Sequence, residues 1–190
     1  INLGKQIEDS NNKAGEFYKL YTSSGHSYKM DMYWKKFQEL DTKANELTIR
    51  KLEIEHSLKN IPLAEQAQVF YKQYQTKGNF TYRANMYWKK FQELDTKAVR
   101  LDIDTLQSKL NAENVPLEKQ AQIFYERYQN RGNFTYRAKM YWENFQELDT
   151  KAAEIKIKGI EGGGKYPEKI GKIAPAKSEP TLSSENSLSD

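Results

Sequence analysis

The sequence predicts an all-α protein: three tandem helical-hairpin repeats of 54 residues in an extended array, followed by an irregular C-terminal tail. Three observations carry that expectation. The thirteen residues Met32–Ala44, MYWKKFQELDTKA, recur unchanged at Met86–Ala98, and recur at Met140–Ala152 with only Glu143 and Asn144 in place of Lys. A fixed period of this kind is the signature of a repeat architecture. Within each copy the apolar residues fall at helical spacing. Glycine and proline punctuate the pattern where a helix would begin or end.

The repeats divide the chain into 1–59, a diverged first copy, then 60–113 and 114–161, with a Gly/Ser/Pro-rich tail over 162–190. In the second copy, Leu63, Ala67, Phe70, Tyr71 and Tyr74 form the stripe of one helix face. Pro62 suits the first turn of that helix and Gly78 its C-terminal left-handed position. A second helix is expected from about Asn79–Thr81, both acceptable N-caps. Its stripe is Ala84, Tyr87, Trp88, Phe91, Leu94 and Ala98. No Pro or Gly interrupts Thr81–Leu110, so a single long helix is expected there. The alternation Leu101-Asp102-Ile103-Asp104 has a strand's period of two, but its strongly helical flanks favour helix. The third copy repeats this plan until Gly162-Gly163-Gly164 breaks it. In the first copy, Gly15–Leu20 and Gly25–Tyr28 stand in place of the FYxxY and GNFTY segments.

The segment FYKQYQTKGNFTYRANMYWKKFQELD, Phe70–Asp95, has the aromatic spacing, the Gly-polar-aromatic turn and the ELD ending of a tetratricopeptide unit, which it resembles over 26 residues of each repeat. The resemblance implies an α-hairpin repeat. The period of 54 residues departs from that family's 34, so no peptide groove is carried over from it.

Composition narrows the chemistry. The chain has 190 residues, 30 basic and 26 acidic groups, a net charge of +4, no cysteine and two histidines. Without cysteine there is no disulfide framework, thiolate metal site or thiol nucleophile. His26 and His56 do not fall at equivalent repeat positions. No HExxH or GxxxxGK[ST] pattern occurs, so no cofactor and no metal is expected. Glu39 and Asp41, with their copies, lie about 200° apart on a helix and cannot address one bond together; both are expected to be solvated. No apolar run approaches the roughly 18 residues of a membrane span. Basic and acidic groups are interspersed, which disfavours nucleic-acid capture. The start at Ile1 is compatible with a processed mature form of a secreted or organelle-lumen protein, or with a fragment, and the compartment stays unspecified.

These exclusions leave a non-enzymatic linker or scaffold as the expected function. Three near-copies of one surface suit a protein partner that itself repeats: an oligomer, a filament or a large assembly. The expected contact groups are repeated residues off the apolar stripe: Gln38, Gln92 and Gln146, Lys43, Lys97 and Lys151, and Arg83 with Arg137. Trp34, Phe37, Trp88, Phe91, Trp142 and Phe145 are expected to form the aromatic core. The alternatives are a tetratricopeptide-like receptor for one peptide segment and a secreted helical host-interaction protein.

Overall fold

The computed structural model describes residues 2–76, 80–130 and 134–163. It comprises six helices, α1 (Leu3–Ser23), α2 (Ser27–Leu58), α3 (Leu63–Thr76), α4 (Thr81–Ala112), α5 (Leu117–Gln129) and α6 (Thr135–Glu161). There is no strand among the described residues. Each odd-numbered helix packs along the even-numbered helix that follows it, giving three hairpins, and consecutive even-numbered helices touch one another. The fold is all-α and built of helical-hairpin repeats, as the periodicity predicts. Gly78 and the tail from Gly164 onward lie outside the described residues.

The long helix of the second hairpin is continuous over 32 residues, about 48 Å at 1.5 Å per residue. The alternating segment lies inside it. Leu101 is 59% exposed and Ile103 only 5%, because residues two apart on a helix face nearly opposite ways. Ile103 is buried for a reason that also explains the long period. The second half of α2 and of α4 belongs to the core of the next repeat. Ile49 and Leu52 of α2 pack against the buried cluster of Ala67, Phe70, Tyr87, Phe91 and Leu94. Val99, Ile103 and Leu110 of α4 join Ala121, Phe124, Tyr141 and Leu148 in the third core. A 54-residue unit therefore spends its last two to three helical turns on its successor.

Both described turns between repeats are closed by asparagine. Asn60 and Asn114 adopt left-handed φ of 51° and 53°, a conformation that Asn tolerates better than most residues. Each sits just past a helix C-terminus. The Ile61 amide donates to the His56 carbonyl at 3.0 Å, and the Val115 amide to that of Leu110 at 2.9 Å, the longer bond of a Schellman motif. Gln66 and Gln120 then fasten the connecting peptide, donating to the Ile61 and Val115 carbonyls at 2.7 and 2.8 Å. Two turns with the same chemistry give successive repeats the same step.

The first repeat is closer to the others than a fixed 54-residue offset indicates. Phe17, Tyr18 and Tyr21 of α1 retain the FYxxY pattern at an offset of 53. Tyr18 packs tilted against Phe37 at 5.1 Å between centroids and Tyr21 against Trp34 at 5.1 Å. Tyr71–Phe91 and Tyr74–Trp88, at 5.0 and 5.1 Å, are the same contacts one repeat later. Ala14, Ala67 and Ala121 are 2%, 0% and 1% exposed, so all three odd helices approach their partners through alanine. One residue is missing from the turn before α2, which hides this agreement from a fixed-period comparison.

Candidate functional site

The long helices of the second and third hairpins begin at Phe80 and Phe134 rather than at a polar cap. Both residues have extended backbone, with φ, ψ of −102°, 97° and −97°, 109°, and no side-chain cap bond. What the helix end forgoes in capping is offset by the ring's destination. Phe80 reaches back into the aromatic cluster of the first repeat, 5.5 Å from Phe37, 6.0 Å from Trp34 and edge-on to Tyr18 at 6.4 Å. Phe134 does the same in the second, at 5.3 Å from Phe91, 6.1 Å from Trp88 and edge-on to Tyr71 at 5.9 Å. Tilted and edge-to-face contacts in this range are the favourable arrangements of aromatic rings.

Two and three residues further on, each helix supplies a tyrosine and an arginine to one buried carboxylate. Asp41 and Asp95 are 4% and 3% exposed. The Tyr82 hydroxyl donates to Asp41 Oδ2 at 2.6 Å, and Arg83 grips both oxygens, Nε to Oδ2 and Nη2 to Oδ1, each at 2.5 Å. Tyr136 donates to Asp95 Oδ2 at 2.5 Å and Arg137 Nε to the same oxygen at 2.6 Å; Arg137 Nη2 completes the pair on Oδ1. The bidentate fork is the geometry that suits arginine rather than lysine. Each guanidinium also lies over the phenylalanine of its own helix start, 4.4 Å from the Phe80 centroid and 4.7 Å from that of Phe134.

Burial and the hydrogen bond to the carboxylate hold the Tyr82 and Tyr136 hydroxyls well above the ordinary phenol range. Burial acts against the Arg83 cation, but the bond to Asp41 outweighs it and raises its pKa; for Arg137 the bond to Asp95 is the leading cause of the same rise. Beside the clasp, burial pushes the Tyr87 hydroxyl up to about 12. The expectation that Asp41 and its copy are solvated is therefore corrected. Glu39 and Glu93 are exposed, whereas Asp41 and Asp95 are the centres of the two joints. A carboxylate can be buried here because the next repeat supplies three donors to it.

A second contact spans each joint, and its residues change together. In the first joint Lys90 is 16% exposed at the side chain and pairs with Glu53 of the preceding repeat, and with Glu93 at 2.9 Å. In the second joint the equivalent residues are Asn144 and Gln107, and Gln107 Nε2 donates to Asn144 Oδ1 at 3.1 Å. The Lys-to-Asn difference in the third repeat thus matches a Glu-to-Gln difference in the second. We expect the paired change Glu53→Gln with Lys90→Asn to unfold in urea within about 0.5 kcal/mol of the parent. Glu53→Gln alone is expected to cost more, about 1 kcal/mol, since it removes the cross-joint charge partner of a largely buried ammonium.

The residues expected at a partner surface divide accordingly. Lys43, Lys97 and Lys151 are exposed, Gln146 is exposed, and Gln38 and Gln92 are half-buried. Lys97 and Lys151 pair with Glu93 and Glu147 on their own helices, at 2.7 and 2.5 Å. Arg83 and Arg137 are engaged inside the chain. Trp34, Trp88 and Trp142 are half-buried and each packs on a tyrosine of its own hairpin. Phe37 and Phe91 are buried and Phe145 half-buried. The clasp was legible as repeated Asp and repeated Tyr-Arg, but their separation of 41 and 42 residues crosses a repeat boundary, which a reading confined to single repeats does not join.

Among the described residues no group of three or more His, Asp or Glu side chains could hold a metal ion, and no helix is long and apolar enough to cross a membrane. An open cleft beside the first clasp is lined by Asn11, Asp41, Asn45, Thr48 and Arg83. The geometry defines an α-hairpin repeat array with clasped joints. Comparison with protein-family models, curated proteins and solved structures finds no match to this chain.

Proposed function

We propose that this chain is a non-enzymatic multivalent scaffold that binds repeated sites on a protein assembly. The observation that supports this most is the equivalence of the two joints: the same Phe, Tyr, Arg and Asp contacts recur with distances differing by a few tenths of an ångström. Equal joints set equal steps. The exposed Lys43, Lys97 and Lys151 then lie at matching points of three equivalent helices, with Gln38, Gln92 and Gln146 beside them. A rigid, regular display favours a partner whose own sites are regular.

Each contact is small and individually weak. Linkage makes the second and third contacts intramolecular, and avidity can exceed one contact by about 10²–10⁴-fold when the spacings match. The test begins with a partner captured by the full chain from its source organism, prepared both as isolated subunits and as the assembly. Several subunits are expected per chain, with binding to the assembly tighter by about 10²–10⁴-fold. Affinity for the assembly should fall stepwise as Lys43, Lys97 and Lys151 are changed to Glu one after another. One partner per chain, or equal affinity for subunit and assembly, would overturn the proposal and leave a receptor for a single peptide segment.

A further inference from the structure

The third repeat carries the acceptor half of the clasp without a donor among the described residues. Asp149, Tyr125, Trp142 and Phe145 stand where Asp95, Tyr71, Trp88 and Phe91 receive the start of α6. Tyr125 and Phe145 keep the tilted contact of Tyr71 and Phe91, at 5.2 Å. Yet Phe145 and Asp149 are half-buried where Phe91 and Asp95 are buried. Further along α6, Ile157 and Ile160 are 55% and 66% exposed. Their counterparts in α4 are Ile103, 5% exposed, and Leu106, both packed in the core of the next repeat.

The first repeat carries the donor half, in the same conformation. His26 precedes α2 with extended backbone, φ −119° and ψ 122°, as Phe80 and Phe134 precede α4 and α6. Its ring lies 6.0 Å from that of Tyr28, against 5.9 Å for Phe80–Tyr82 and 5.8 Å for Phe134–Tyr136. Lys29 occupies the arginine position. Tyr28 is 62% exposed, and Lys29 is exposed beside it. Phe17 and Tyr33 are half-buried, whereas their equivalents Phe70 and Tyr87 are 0% exposed beneath the preceding long helix. The second contact has its two halves as well. Lys36 is the equivalent of Lys90, and the exposed Glu161 is the equivalent of Glu53.

We infer that the occupant of the open acceptor is the first repeat of a second copy of this chain, joined head to tail. The Tyr28 hydroxyl and the Lys29 ammonium of one copy donate to the Asp149 carboxylate of the other. The His26 ring enters the cluster of Tyr125, Trp142 and Phe145, Lys36 faces Glu161, and Phe17 with Tyr33 covers Ile157 and Ile160. The tyrosine-to-aspartate bond is one that the chain uses twice within itself, and the lysine–glutamate pair is one that it uses once. Lysine offers a single ammonium where arginine offers a fork, so the contact between copies is weaker than the joints within one and is reversible. A head-to-tail contact of this type joins unlike surfaces, and so it propagates along a chain of copies or closes as a ring.

Sedimentation velocity on the full chain over a concentration series tests this. The expected result is concentration-dependent association beyond the dimer. Asp149→Asn should weaken it by about tenfold or more, the loss expected when a charged acceptor is removed. The pair Tyr28→Ala with Lys29→Ala should do the same. A mixture of those two variants should stop at a one-to-one dimer, since each retains the half the other lacks. Restoring the internal pattern with His26→Phe and Lys29→Arg should tighten association by about tenfold. A full chain that stays monomeric up to its solubility limit overturns the proposal and points to a cover for the acceptor from within the chain. Association unaffected by Asp149→Asn and by the Tyr28/Lys29 variant overturns it in favour of a different interface.

Discussion

Asp95→Ala is expected to destabilise the chain by about 3 kcal/mol, and Asp149→Ala by less than about 0.5 kcal/mol, although both remove the same residue from the same repeat position. The difference lies in what surrounds each carboxylate. Asp95 is 3% exposed and is the acceptor for Tyr136 and both arms of Arg137. Its removal leaves a partly buried guanidinium and a phenol without their partner, and breaking a buried pair costs about 3–5 kcal/mol. Arg137 keeps 23% of its side chain in solvent, which places the effect at the low end of that range. Asp149 has no such donors among the described residues. Asp149 is only half-buried, and a substitution that breaks no buried pair falls within about 0.5 kcal/mol. Urea unfolding at low protein concentration measures both. Because stability in repeat arrays is a sum of repeat and interface contributions, Asp95→Ala should also split the transition, with the third repeat unfolding first. Equal effects at the two positions would mean that the joint contributes nothing.

The second large effect concerns the aromatic clusters, and it too should depend on position within the array. Phe91 is 0% exposed and touches Tyr71, Trp88 and the Phe134 ring of the next repeat. Phe91→Ala is expected to cost about 3–5 kcal/mol, the range for a buried phenylalanine. Phe37→Ala, at 4% exposure, should behave alike, for Phe80 closes its cluster. Phe145→Ala should cost about half as much. Its contacts with Tyr125 and Trp142 are retained, but no ring from a following repeat covers it among the described residues. Thermal denaturation of the three variants measures the series. Three equal losses would show that each cluster is sufficient within its own hairpin.

The helices were legible because each repeat has a regular apolar stripe and no proline inside a helix. The period itself was legible from identity alone. What the stripes could not convey is that Val99 and Ile103 serve the following core rather than their own, since helical spacing specifies a face and not which neighbour covers it. The asparagine turns at Asn60 and Asn114 were missed for a related reason. Asparagine is not restricted to left-handed backbone as glycine nearly is, so its sequence signal is weak.

The clasp was hidden by a charge argument applied too locally. Asp41, read beside Glu39, is one more acid on a polar helix. Read beside Tyr82-Arg83 it is half of an ion pair whose other half lies one repeat on. Arg83 and Arg137 were expected at a partner surface because they repeat and lie off the apolar stripe. Both properties are also those of a residue that joins successive repeats. The one-residue deletion before α2 concealed Phe17, Tyr18 and Tyr21 in the same way, by shifting a conserved arrangement out of register with the comparison.

If the two joints are copies of one clasp, each should hold its neighbouring hairpins together with the same strength. Double-mutant cycles measure it directly, with Asp41→Ala and Arg83→Ala for the first joint and Asp95→Ala and Arg137→Ala for the second. Coupling energies between contacting groups run from about 0.5 to 3 kcal/mol. A coupling of about 2 kcal/mol is expected at each joint, with agreement between the two within about 0.5 kcal/mol. Coupling near zero at either joint, or strong coupling at one alone, would contradict it.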